Sequence, residues 1–253
     1  MSLLSRPIFL RDYNELNVDS RDGTGTSTSF SITLNSAISV RELSLLEAEI
    51  PITWYNVRST NNKFDFDDGT VRAVTITASN YTASTLATAL QTGLNASGTG
   101  LTFTVTYSTS TYKYTIAATG AFSMPFLTGV NAATTIALVL GFTATDHASS
   151  ASQVSDNVAD LIGDHYVYLK CTSITGVNEG IISSNATDTG ILARIPVNGN
   201  SGDVIIYTAQ KERPTLIYNG TAVSTLAFTL TYRNNTTIDN NGMKISFKLG
   251  LYT

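Results

Sequence analysis

Charge is scarce in this sequence. Of 253 residues, 13% are Asp, Glu, Lys or Arg, against roughly 25% in an average soluble domain. With 15 Lys and Arg against 19 Asp and Glu, the formal net charge is -4. No basic cluster occurs, which argues against direct nucleic-acid binding. Cysteine and histidine are scarcer still. The lone Cys171 cannot close an intrachain disulfide, and His147 and His165 alone cannot complete a structural zinc site. Long apolar runs are also missing. The longest, Ile136 to Phe142 (IALVLGF), is far short of the roughly 20 residues of a membrane helix. Arg6 and Pro7 break the apolar start of the chain too early for a signal-peptide core. These absences predict a soluble chain, with no transmembrane segment, made in a reducing compartment. The length still allows a substantial core, in one large all-β domain or two modest ones.

Thr, Ser, Asn and Gly fill the space that charge leaves. A surface so weakly charged suits a protein whose faces are covered by neighbouring copies. Residues 1–29 read as a flexible N-terminal arm with a joint near Asp22 to Ser29, polar and ending in Gly, Thr and Ser. From Phe30 the texture becomes period-two alternation: Phe30, Ile32 and Leu34 share one face, and LSLLEAEI (Leu43 to Ile50) follows, closed by Pro51.

Between about Val71 and Thr145 the pattern changes. Leu86, Leu90 and Leu94 recur at four-residue spacing behind an N-cap at Thr82 or Ser84, which predicts a short amphipathic helix. A hairpin follows, with Phe103, Val105 and Tyr107 on one arm and Tyr112, Tyr114 and Ile116 on the other. A second helix is expected over about Ala132 to Leu140, closed by Gly141. This is a small α+β module inside an otherwise β chain. From His165 short strands return: HYVYLKC, ILARIPV, VIIY, LIY, LAFTLTY and ISFKLGLY, separated by Gly- and Asn-rich turns. Such spacing predicts a β-sandwich or barrel.

Few residues point to chemistry. Asp146-His147 and Asp164-His165 could each hold an oriented base, but no G-x-S-x-G elbow accompanies them and turn chemistry explains both Asp residues. The acidic run DFDDG (Asp65 to Gly69) fails the EF-hand spacing. TGTS at Thr24 to Ser27 lacks the lysine of a phosphate loop. The aromatics, Tyr112 and Tyr114 among them, could form a sugar platform, although most fall on alternating strand positions and read as core or interface packing. No catalytic residue, metal ligand or cofactor is expected.

Four stretches carry a resemblance by their order: Ala37 to Val40 running into RELSLLEAEIPITWYNV; VTITASNYTASTLATAL with Leu140 to Phe142 downstream; ILARIPV followed by VIIY; and LAFTLTY with NGMKISFKLGLY. In this order the sequence resembles the penton, or minor capsid, proteins of tailless icosahedral double-stranded DNA viruses of the virophage and Polinton-like, double-jelly-roll lineage. The resemblance implies a mainly β fold, a single jelly-roll β-sandwich over residues 30–70 and 149–253, with a small inserted α+β domain over residues 71–148. It also implies a structural role, with no enzyme activity, as a homopentameric plug at the five-fold vertices of the virion, assembled in the host cell interior. Neighbouring major capsid protein capsomers would be partners, and the inserted domain would meet a host receptor or fibre. Arg6, Arg11 and Asp12 are the candidate anchoring residues of the arm. An Arg-Gly-Asp motif is absent, since Arg21-Asp22-Gly23 has the wrong order. The competing reading is a carbohydrate- or receptor-binding β-sandwich of a spike or fibre.

Overall fold

A computed structural model describes residues 13–173, 190–209, 216–217 and 222–253. Arg6, Arg11 and Asp12 lie outside the described residues. In chain order the elements are β1 (Tyr13–Asp19), β2 (Thr24–Gly25), β3 (Ser29–Ser39), β4 (Glu42–Pro51), β5 (Lys63–Asp67), β6 (Val71–Thr75), α1 (Ala83–Asn95), β7 (Phe103–Ser108) and β8 (Lys113–Pro125). There follow α2 (Ala137–Leu140), β9 (Asp146–Val154), β10 (Tyr166–Cys171), β11 (Ile191–Pro196), β12 (Val204–Thr208), β13 (Leu216–Ile217), β14 (Ala222–Thr231) and β15 (Ser246–Tyr252). They divide into two compact units, one up to Trp54 and again from Asp164, the other Tyr55–Gly163.

The first unit is a jelly roll. One sheet has the order β1-β15-β4-β12, with β13 also on β4; the other runs β11-β10-β14-β3-β2. Leaving out the two-residue strands, the order along the chain is 1-8-3-6 in one sheet and 2-7-4-5 in the other. Two interlocked Greek keys produce that order, and the described pairings within both sheets are antiparallel. The core between the sheets follows from the alternation. Leu43, Leu45, Ala48 and Ile50 of β4 meet Val167, Leu169 and Cys171 of β10, Leu226, Phe228 and Leu230 of β14, and Phe247, Leu249 and Leu251 of β15. Each large apolar side chain so buried contributes about 1.5–3 kcal/mol. Leu46 is the extra residue of a β-bulge opposite the Lys248–Leu249 step. The bulge resets the period, so Leu45 before it and Ala48 after it both face inward. The ring of Phe228 packs 4.9 Å from Phe247 and 5.9 Å from Phe30, centroid to centroid.

The expected arm is in part a strand. β1 pairs with β15 from Tyr13 opposite Tyr252 to Asp19 opposite Ser246, and buries Val18. The polar neighbours of Leu16 and Val18 hide this strand in the sequence, because its other face is wet. The joint over Asp22 to Ser29 is also ordered: Gly25, at φ +132°, turns the chain so that β2 pairs with β3. A side chain there would run into the Ser29 carbonyl 2.4 Å away.

The second unit has its own core. Its sheet has the order β6-β5-β8-β7, with β9 also on β8. Thr82 caps α1 by accepting from the Thr85 amide at 3.3 Å, and the Thr85 hydroxyl accepts from the Thr82 amide at 2.9 Å. This reciprocal box starts the helix, and the stripe of Leu86, Ala87, Leu90 and Leu94 is buried. Phe64, Phe66, Phe103, Phe122, Phe126 and Phe142 complete the core.

The boundaries differ from the expected 71–148 because Phe64 and Phe66 of β5 bury here, with Ala159 and Leu161 packed against the same cluster. The expected second helix shrinks to α2. The Ile136 amide donates to the Lys63 carbonyl at 2.7 Å, Thr135 bridges Lys63, and this pairing extends the backbone before the helix can begin. Gly141, at φ +84°, then ends it as expected. Its open space is needed, since a Cβ would meet the Asn157 carbonyl at 2.4 Å.

Candidate functional site

No Asp-His pair is assembled for catalysis among the described residues. Asp146 opens β9, where successive side chains point to opposite faces. Its carboxylate accepts from the Thr128 hydroxyl at 2.7 Å and from the Leu127 and Thr128 amides at 2.8 and 3.0 Å. These bonds hold its pKa below the usual carboxylate value. His147 sits instead between the rings of Phe126 and Phe142, at 5.6 and 5.3 Å. Its Nε2 is 3.3 Å from the Thr143 carbonyl and 3.6 Å from Asp156. The arrangement pins the 142–156 segment, with the Thr143 hydroxyl donating to the same Asp156 carboxylate at 3.0 Å. His165 is exposed at the start of the second half of the sandwich.

The acidic run is likewise dispersed. Asp65 is buried and accepts from the Asn131 amide at 2.8 Å and its side-chain nitrogen at 2.6 Å. Asp67 accepts from the Gly69 amide, and Asp68 from Arg72 and the Thr99 hydroxyl. Among the described residues no group of three or more His, Cys, Asp or Glu converges as a metal site would require. Tyr114 corrects the sugar-platform reading: it is fully buried, whereas Tyr112 is exposed.

Two features of the jelly roll organise its surface. The first is the end where the chain leaves β4 and re-enters at β10. There Ile52 donates to the Asp203 carbonyl at 2.8 Å and accepts from Gly202 at 2.7 Å. Thr53 Oγ1 donates to the Asn240 carbonyl at 2.5 Å, and Ser27 Oγ to Asn240 Oδ1 at 2.5 Å. Asn240, almost wholly buried, also donates to the Met243 carbonyl. It therefore ties the 20–28, 52–54 and 232–245 connections together.

The second feature is charge. The strands of the β1-β15-β4-β12 sheet carry Glu15, Asp19, Glu42, Glu47 and Glu49 and one cation, Lys248; Arg21, just past β1, pairs with Asp19 at 2.5 Å. Those of the other sheet carry Arg194, which is exposed, and Lys170, which is buried and bonds Asn235, with no carboxylate on the strands themselves. Nothing in the hydrophobic pattern signals this division. It appears only when the strand order assigns each residue to a sheet.

The fold is matched by solved structures. The crystal structure of the mavirus penton protein aligns with 96% of this chain and 100% of its own length, at a TM-score of 0.52 and 12% identity. A chain in the cryo-electron microscopy structure of the Sputnik virophage aligns over 96% of this chain and 97% of its own, at 14% identity and a TM-score of 0.43. No protein-family model matches the sequence, and no curated protein does. In fold the chain is a single jelly roll with an insertion, of the virophage penton type.

Proposed function

We propose that this chain is a structural capsid protein, a penton that closes the five-fold vertices of an icosahedral virion as a homopentamer. The observation that carries the reading is the combination of jelly-roll strand order and insertion, aligned over the full length of the mavirus penton protein. The sparse charge supports it, because interfaces deplete Lys, Glu and Asp. In this reading the chain works by packing, with no chemistry of its own. Neighbouring major capsid protein capsomers hold the plug, and Arg6, Arg11 and Asp12 anchor it to them. The Tyr55–Gly163 unit meets a host receptor or fibre. Assembly takes place in the host cell interior.

The test is a cryo-electron microscopy reconstruction of the parent particle with sedimentation of the purified protein. Density for this chain at the five-fold vertices and a five-copy species are expected. Its absence from the vertices, or a persistent trimer, would refute the reading.

A further inference from the structure

We propose that the tip of the β7–β8 hairpin is the receptor contact of the inserted unit, with the Tyr112 ring as its anchor and Val158 and Leu138 beside it. Its partner is a protein surface that sets a basic side chain next to an apolar one. The inference rests on the reading above that this unit meets a host receptor, and names the residues that touch it and the class of molecule they fit.

The anchor is marked by its backbone. Ser108 and Lys113 are the last paired residues of the hairpin, so the four residues Thr109 to Tyr112 make the turn. The Tyr112 amide closes it by donating to the Ser108 carbonyl at 2.7 Å. Tyr112 stands at φ +57°, in the left-handed region where a bulky side chain is an outlier and Gly, or less easily Asn, is at home. Its carbonyl accepts from the Ala159 amide at 2.8 Å, which helps to hold that conformation. The side chain offers no internal bond in exchange. It is 57% exposed and, among the described residues, makes no hydrogen bond or ring contact. Tyr114, two residues on, is the contrary case, buried and bonded to Ala83. Backbone strain at an exposed side chain with no internal bond points to a use outside the chain.

Backbone bonds bring two more exposed apolar side chains alongside. The Ala159 amide joins the 157–160 segment to Tyr112, and the Asn157 and Asp160 amides join it to the Gly141 and Val139 carbonyls at 2.8 and 3.0 Å. Three segments thus lie side by side, and each presents a large apolar residue: Tyr112, Val158 at 57% and Leu138 at 63% exposure. The rest of the tip, Ser108 to Thr111, carries hydroxyls. Tyr with Ser is the composition of loops that bind proteins, Tyr giving rigid contact area and Ser adaptable hydrogen bonds. Tyr is also among the residues that dominate interface energies. Val158 and Leu138 favour a protein over a sugar, because sugar hydroxyls set against them would lose their hydrogen bonds. Charge narrows the choice further. Asp156 and Asp160 flank Val158 and are exposed; Asp156 is shared with Thr143 and His147, and Asp160 with the Gly163 amide, so neither meets a Lys or Arg among the described residues. The Lys113 ammonium beside the tip is bonded to the Asp156 carbonyl at 2.7 Å. A basic side chain on the partner complements this acidic rim.

The test is binding of the full chain to membranes from cells that the parent particle infects, left untreated, stripped with protease or trimmed with glycosidases. Binding is expected to the untreated and the glycosidase-treated membranes, with loss after protease. Tyr112→Gly and Tyr112→Asn should melt within about 2 °C of the wild type or above it, since both residues suit the left-handed turn. Both should bind at least about tenfold more weakly. Asp160→Asn keeps an acceptor for the Gly163 amide and should reduce the salt dependence of binding. Tyr112 variants that bind as the wild type does overturn the site and leave the receptor reading standing. A Tyr112→Gly melt far below the wild type gives the side chain a structural role and overturns its assignment as anchor. Unchanged salt dependence in Asp160→Asn overturns the basic group on the partner. Loss of binding after glycosidases overturns the choice of a protein surface over a glycan. A wild type that binds none of the membranes removes the receptor reading and this contact with it.

Discussion

Tyr114 Oη donates to the Ala83 carbonyl at 2.8 Å, bonding the second arm of the β7–β8 hairpin to the first turn of α1. The ring is buried and lies 5.0 Å from that of Tyr107, and burial pushes the phenol pKa well above its usual value. Tyr114→Phe removes one hydrogen bond at nearly constant volume and should cost about 1 kcal/mol. Tyr114→Ala adds a cavity and should cost about 3–5 kcal/mol. Urea denaturation measures both. Loss of a glycan interaction in the folded Phe variant would restore the sugar-binding reading.

Deleting residues 1–19 removes β1 and uncovers the edge of β15. The melting temperature should fall by several degrees, in line with loss of buried Val18 and the contacts of Leu16. Deleting residues 1–12 leaves β1 whole and should change the melt far less. Equal melts for both deletions would contradict the pairing of β1 with β15.

Asn240 joins three connections of the sandwich through its own side chain and carbonyl. Asn240→Ala should cost about 1–3 kcal/mol, because the Ser27 hydroxyl and Met243 carbonyl lose their buried partner. Denaturant titration should show a lower midpoint with an unchanged slope.

Acid should weaken the inserted unit. Bonds from Thr128 and Leu127 hold Asp146 below the usual carboxylate pKa. Bonds from Thr143 and the charge of His147 do the same for Asp156. A carboxyl that titrates lower when folded contributes its full stabilisation above the unfolded value of about 3.9 and loses it as pH falls through the folded value. Asp146→Asn with Asp156→Asn should therefore flatten the acid limb of a stability–pH profile below about pH 4. An unchanged limb would show that these bonds do not form.

The unit boundary has its own test. Joining Trp54 to Asp164 through a short Gly/Ser linker should leave a sandwich that melts cooperatively. Excising only 72–146 strands Phe64 and Phe66 without their core and should produce aggregation. The reverse ranking of the two deletions would place the boundary elsewhere.

The sequence displayed those elements whose apolar residues keep a strict period. Leu86, Leu90 and Leu94 disclosed α1, and Phe228 and Phe247 disclosed the strands of the sandwich core. It concealed β9, whose one buried side chain is polar: Gln153 donates to the Ala148 carbonyl at 2.7 Å and to that of Phe122 at 3.3 Å. Hydropathy cannot register a strand held in this way. It also concealed the allocation of β5, since Phe64 and Phe66 alternate equally well in either unit. The gathering of carboxylates on one sheet was invisible for a related reason: acids are sparse along the chain, and Glu15, Glu47 and Glu49 come together only through the strand order.

The pairing of Tyr13 with Tyr252 sets an order of events during synthesis. β1 emerges first but cannot be hydrogen-bonded in its sheet until β15 has been made, whereas all that the inserted unit needs lies between Tyr55 and Gly163. The local unit has the shorter wait, and contacts distant in sequence form late. The inserted unit is therefore complete while β1 and β4 still lack β15, and β3 still lacks β14. Closure of the sandwich is then expected only after β14 and β15 have been made.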